Sequence, residues 1–86
     1  MPGVVRQGDQ NTGGGIAQIG DPNVIVEGRP IVVNGTPVTG HRRHWPTVTA
    51  NGDTNVLVGN RPVNVIGNAD ACGDRRLNGS SDVIVG

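Results

Sequence analysis

Two histidines and one cysteine are the residues of this chain whose types can do chemistry. His41 and His44 stand in the stretch His41-Arg42-Arg43-His44-Trp45-Pro46, beside the single aromatic residue, and Cys72 is the only thiol. Imidazole nitrogen and thiolate sulfur together suit a tetrahedral Zn²⁺, and iron also accepts such donors. Taken alone, a His-x-x-His pair in a loop is more often an exposed polar pair, and a lone cysteine more often a small buried hydrophobe. The same groups could be drawn as a thiol nucleophile and its base. Neither an orienting acid nor a substrate pocket is implied, so no enzymatic activity is expected. A single cysteine also excludes an intramolecular disulfide.

The elements that must position these residues are repeats. A seven-residue phrase occurs as GDPNVIV from Gly20 to Val26, GDTNVLV from Gly52 to Val58 and GSSDVIV from Gly79 to Val85. Each copy joins a glycine and small polar residues to three aliphatics, which reads as a tight turn feeding a short strand. The in-phase Asn23, Asn55 and Asp82 are expected to cap those turns through the backbone. The glycines that open the phrases are expected to supply positive φ or close backbone approach.

After the first two copies come Arg29-Pro30-Ile31-Val32-Val33-Asn34-Gly35 and Arg61-Pro62-Val63-Asn64-Val65-Ile66-Gly67, again strand-like and ending at glycine. After the third, the matching piece is found at the other end of the chain, as Pro2-Gly3-Val4-Val5-Arg6-Gln7-Gly8. The N-terminal segment 1–9 is therefore expected to complete the third unit. That would make residues 1–86 one domain of three units around a pseudo-threefold axis, with few free sheet edges. Within this phase Cys72 follows Gly67 by five residues, as Gly40 follows Gly35 and Gly13 follows Gly8. The second unit has 17 positions from Gly35 to Gly52, where the others have 12, and its insertion holds both histidines. The three offsets should converge at one apex and bring His41, His44 and Cys72 together.

Composition agrees with a small β domain and narrows its roles. Lysine is absent, aromatic content is 1%, and 15 glycines and 6 prolines punctuate 86 residues, so helix is nearly excluded. Short strands are expected near residues 3–6, 16–19, 24–26, 31–34, 47–50, 56–58, 63–66 and 83–85. So small a core calls for a staple, and with no disulfide that means a metal or a partner. The formal net charge is zero and no aromatic platform exists for bases, so Arg42-Arg43 and Arg75-Arg76 read as a solvated tip rather than a nucleic-acid surface. Gly13-Gly14-Gly15 lacks the Lys-Ser/Thr of a phosphate loop and reads as an apex turn. No apolar run approaches the roughly 18 residues of a membrane span, and Met1-Pro2-Gly3 is not a signal peptide. Synthesis in the cytoplasm is expected.

These phrases, with their Gly-Asp turns and Pro-led strands, resemble the PAAR-repeat proteins, small cones that cap contractile injection spikes. The Pro-Ala-Ala-Arg signature itself is degenerate here, written Pro2-Gly3-Val4-Val5-Arg6, Pro30-Ile31-Val32-Val33 and Pro62-Val63-Asn64-Val65. The resemblance implies an apex metal held by three histidines and one cysteine, with His41, His44 and Cys72 matching three of the four places. Gly13 stands where the fourth ligand would be, leaving the vacancy to water or to a carboxylate such as Asp9 or Asp74.

The resemblance also implies an all-β, single-chain cone that sharpens a trimeric β-helix spike, one copy per trimer, and touches the target membrane transiently. A phage tail baseplate is favoured over type VI secretion, because no effector or transmembrane extension flanks the repeats. The alternative from another class is a small stand-alone metal-binding or redox domain. Alternation along each strand sorts the triplets into two faces. Val24, Val26, Val56, Val58, Val83 and Val85 are expected to supply the docking surface, and Ile25, Leu57 and Ile84 the core.

Overall fold

The computed structural model describes residues 2–40 and 44–85. Among them there is no helix, and the strands are β1 (Asp21–Val26), β2 (Arg29–Ile31), β3 (Pro37–Val38), β4 (Thr47–Val48), β5 (Asp53–Val58) and β6 (Arg61–Val63). The fold is all-β. β1 pairs with β2, β3 with β4 and β5 with β6, each pair antiparallel. The molecule is elongated, 31 × 23 × 22 Å, with two nearly equal short axes.

The repeated phrase makes a hairpin whose first strand carries a bulge of polar residues. Asp21 already pairs with Ile31, and the register slips between Asp21 and Ile25 before Ile25 meets Pro30. β5 and β6 repeat this slip, with Asp53 opposite Val63 and Leu57 opposite Pro62. The polar residues therefore form a bulge inside the strand, because one strand carries residues its partner does not match. The bulge is closed by Asp21 Oδ1 accepting from Asn23 N at 2.9 Å and by Asp53 Oδ1 accepting from Asn55 N at 2.8 Å. In the third phrase Ser80 Oγ accepts from Asp82 N at 3.1 Å. The caps are thus Asp21, Asp53 and Ser80, two positions before the expected Asn23, Asn55 and Asp82.

The hairpin turns are Glu27-Gly28 and Gly59-Asn60, with φ of 52° and 80°, and 57° and 65°. Two successive residues at positive φ make the type I′ turn that matches strand twist. The opening glycines serve close approach: a Cβ on Gly20 would lie 2.6 Å from Ile31 O, and one on Gly79 2.6 Å from Val4 O.

Residues 3–5 pair with residues 80–84 in the manner of the other two hairpins. Gly3 bridges Ile84, Ser80 N donates to Val4 O at 2.8 Å, and Val85 N donates to Pro2 O at 2.9 Å. A ring of three backbone hydrogen bonds then joins the units: Val5 N to Asn64 O, Asn64 N to Val32 O and Val32 N to Val5 O, each 2.9 Å. Val5, Val32 and Asn64 are fully buried. Around the ring, Arg6 bridges Ile31, Val33 bridges Val63 and Val4 bridges Val65. Each unit donates forward and accepts from behind, which is closure about a pseudo-threefold axis.

The core below this ring is Val4, Val26, Ile31, Val33, Val63 and Val65, with Val24, Val56, Val58 and Val85 packed against it. The valine sides of the phrases face inward, and the branched central residues face outward: Ile25 is 56% exposed, Leu57 55% and Ile84 47%. That corrects the expectation of a core made by Ile25, Leu57 and Ile84. Alternation within the triplets is kept, and the valine face is the inner one because it packs against Val4, Ile31 and Val63 where the three units meet, while Ile25 and Leu57 lie opposite Pro30 and Pro62 on the outer face. Of the six valines, Val26 is buried and Val83 exposed, with the other four between.

Candidate metal centre

Beyond the ring the three units diverge. Each first makes the same turn, Asp9 N donating to Arg6 O, Thr36 N to Val33 O and Asn68 N to Val65 O, at 2.9, 3.2 and 3.1 Å. Gly8, Gly35 and Gly67 sit at its third position with φ of 94°, 88° and 96°, a conformation that asks for glycine. Inside the next layer the equivalent buried positions are Ala17, Thr49 and Arg76, three residues before the phrase glycines.

Arg76 is the largest fully buried side chain, 1% exposed, and its Nη2 lies 3.2 Å from Asp70 Oδ2 and 3.0 Å from Gly15 O. Burial lowers its pKa, partly offset by the nearby charge of Asp70 and Asp9. Asn11 Nδ2 also donates to Asp70 Oδ2, at 2.9 Å. The reading of Arg75-Arg76 as a solvated pair therefore holds for Arg75 alone, which is exposed. Arg76 is an internal cation that ties the first and third loops together.

Above this layer the chain returns through Cys72-Gly73-Asp74. Gly73 N donates to Asp70 O at 2.8 Å and Asp70 N to Asp74 O at 2.7 Å, closing a tight turn. Gly73 has φ of +98°, and this left-handed step brings Cys72 and Asp74 to the same place. His44 meets them there. His44 Nδ1 is 3.0 Å from Asp74 Oδ2, and one ligand atom each from His44, Cys72 and Asp74 lie within 4.8 Å of one another. All three residues are partly accessible, so an ion could reach them.

The remaining contacts hold the carboxylate and the insertion in place. Thr12 Oγ1 donates to Asp74 Oδ1 at 3.3 Å, and Thr12 is itself tied to Arg75 by backbone and side-chain hydrogen bonds of 2.8 and 3.2 Å. A Cβ on Gly40 would come within 3.3 Å of Pro46 Cδ, so glycine lets the two ends of the histidine loop close. Asn11 Oδ1 accepts from Gly13 N and Gly15 N, at 2.9 and 2.8 Å, which builds the expected glycine turn.

The expected ligands fare differently. His44 and Cys72 are brought together, whereas His41 lies outside the described residues. Of the two carboxylates, Asp9 is buried elsewhere, 3.1 Å from Arg6 Nε and 3.3 Å from Arg29 Nη2, and Asp74 joins the cluster. The signal that singles out Asp74 is its placement two residues from the cysteine across a glycine.

The family model described as PAAR motif matches residues 7–76, 70 of the 86. The chain belongs to the PAAR-motif family. No curated protein matches it. PAAR-motif proteins are associated with the spike tips of contractile injection systems, a structural rather than enzymatic role, and PAAR domains in general bind metal. In this PAAR-motif chain the matched span contains His44, Cys72 and Asp74, and the segments outside it, residues 2–6 and 77–85, are those that complete the third hairpin.

Proposed function

We propose that residues 1–86 form a single PAAR cone that caps one trimeric β-helical spike, one copy per trimer, with a phage tail baseplate favoured over a type VI secretion spike. The observation that carries this reading is the hydrogen-bond ring through Val5, Val32 and Asn64, because a single chain that closes on a threefold pattern can match a partner with a true threefold end. The docking surface is the hairpin side. Ile25, Leu57 and Ile84 occupy equivalent places and are exposed, and exposed apolar residues set in a repeating array suit burial against a partner. Val83 is exposed beside them, while Val24, Val56, Val58 and Val85 serve the partner indirectly by fixing the backbone of the same face.

Mechanically, the spike delivers thrust along the axis and the cone transmits it through its cyclic hydrogen bonds to a narrow apex. His44 and Cys72, with His41 by sequence position, would hold a Zn²⁺, or iron, that cross-links the second and third loops. The ion's chemistry there is that of a staple, supplying binding free energy as folding free energy. Membrane contact is transient and made by the apex, where Trp45 is 87% exposed. Native mass spectrometry with a trimeric β-helix fragment tests the reading: one copy per trimer is expected, and no complex, or three copies, would overturn it.

A further inference from the structure

We infer that the carboxylate of Asp74 is itself a metal ligand, so that the apex of this chain is a mixed nitrogen, sulfur and oxygen centre. The inference rests on the metal-binding part of the proposed function and is independent of the spike. Three features of the molecule place Asp74 in the coordination sphere rather than beside it.

The first is distance. Donors about 2.0–2.1 Å from a tetrahedral Zn²⁺ are separated from each other by about 3.3 Å. His44 Nδ1 and Asp74 Oδ2 are 3.0 Å apart, close to one edge of such a tetrahedron, and the Cys72 ligand atom lies within 4.8 Å of both. The second is the backbone. Gly73 at positive φ directs the side chains on both its sides toward one point, so the thiolate and the carboxylate form a preset pair two residues apart. The third is support. Thr12 Oγ1 donates to Oδ1, leaving Oδ2 to face His44, and an oriented carboxylate is what a ligand needs.

Charge gives this arrangement a consequence. A thiolate and a carboxylate together neutralise a divalent ion, so the loaded centre has no net charge when the His44 imidazole is neutral. The oxygen donor also makes the centre harder than a nitrogen and sulfur set, which shifts relative preference toward Co²⁺ and Zn²⁺ and away from Cu⁺.

The competing role is that of an orienting group, with Asp74 only accepting a hydrogen bond from His44 while the other imidazole nitrogen binds the ion. Asp74→Asn separates the two, because the amide oxygen still accepts that hydrogen bond but is a poor ligand. Chelator competition with Zn²⁺ should show Asp74→Asn and Asp74→Ala both weakened by at least about 100-fold, with the cobalt-loaded visible spectrum changed in Asp74→Asn. Near-native affinity in Asp74→Asn alongside weak binding in Asp74→Ala would overturn ligation. So would a wild-type chain that takes up no metal, whatever its behaviour toward the spike. A second measurement on the unaltered protein guards against misfolded variants: the side-chain carboxyl ¹³C resonance of Asp74 should shift on adding Zn²⁺ in step with the Cys72 Cβ resonance, and an unmoved carboxyl signal would overturn the proposal.

Discussion

The hairpin half and the loop half of this molecule are built from the same three units and obey different rules. In the hairpin half the units keep nearly the same chemistry: Ile31, Val63 and Val4 are equivalent and buried, and Ile25, Leu57 and Ile84 are equivalent and exposed. In the loop half the equivalent buried positions are Ala17, Thr49 and Arg76, and their neighbours Asn11, Val38 and Asp70. One half keeps the symmetry that a threefold partner would read. The other breaks it, with an apolar, a hydroxyl and a charged side chain at equivalent buried places.

The transition falls at Arg6. Its equivalents Val33 and Val65 enter the apolar core, whereas Arg6 lies 3.1 Å from Asp9 Oδ2 and 3.1 Å from Glu27 Oε1. Its hydrogen bond to Asp9, with the charge of Asp9 and Glu27, raises its pKa against the opposing effect of burial. Glu27 also accepts from the Ser80 hydroxyl, which fastens the first hairpin to the third unit.

The largest effect that would break this comparison is at the ring. Val32→Asp would bury a carboxylate where the side chain is 0% exposed and packed with Val5 and Ala17, and should cost more than about 4 kcal/mol, unfolding both halves. Urea denaturation followed by circular dichroism measures it. A folded variant with unchanged midpoint would mean that the halves do not share this keystone.

Next in size is the buried cation of the loop half. Arg76→Met removes the partner of Asp70 and leaves a buried charge, at about 3–5 kcal/mol. Adding Asp70→Asn should return a substantial part of that loss. Equal destabilisation in the single and double variants would show that the pair is not a coupled unit.

How much of this division could be read in the residues follows from what repeats. The phrases at Gly20, Gly52 and Gly79 fixed the hairpins because they recur in register, and the offset of Cys72 from Gly67 pointed to the apex for the same reason. Which face of the triplets turns inward could not be read, because alternation separates the valines from Ile25 and Leu57 without saying which set meets the core. Nor could the fate of Arg76. Its burial depends on Asp70, Asn11 and Gly15 arriving from elsewhere in the chain, and no local pattern announces an internal ion pair. Asp74 lay between these cases, visible as a carboxylate near Cys72 but singled out only by the turn at Gly73.

A moderate effect should be confined to the loop half. His44→Ala and Cys72→Ala should lose bound metal and with it the stabilisation that metal confers, about 2.7 kcal/mol when free ion stands 100-fold above Kd. Metal-free melting curves of the variants and the parent should nearly coincide, because neither side chain belongs to the hairpin core. Elemental analysis and scanning calorimetry with and without chelator check this. Undiminished metal in both variants would remove the centre from the loop half.

The smallest effect on stability, and the sharpest on function, should come from Leu57→Asp. Leu57 is 55% exposed and stands opposite Pro62, so an aspartate there leaves no buried charge. The cost is confined to β propensity and a lost cross-strand contact, under about 1 kcal/mol. Binding to a trimeric spike is a different matter. A surface built on three equivalent residues would acquire one charge facing an apolar threefold end, and desolvating an unpaired carboxylate there outweighs what the two remaining contacts can supply. Loss of spike binding with unchanged circular dichroism and metal content is expected, and Ile25→Asp should behave alike because its place in β1 is equivalent. Val26→Asp is the control that fixes the faces: at 4% exposure it should unfold the hairpin half instead. Were Leu57→Asp to unfold the chain while Val26→Asp stayed folded and lost the spike, the valine side would be the docking face, and the symmetric half would present its partner with the opposite surface.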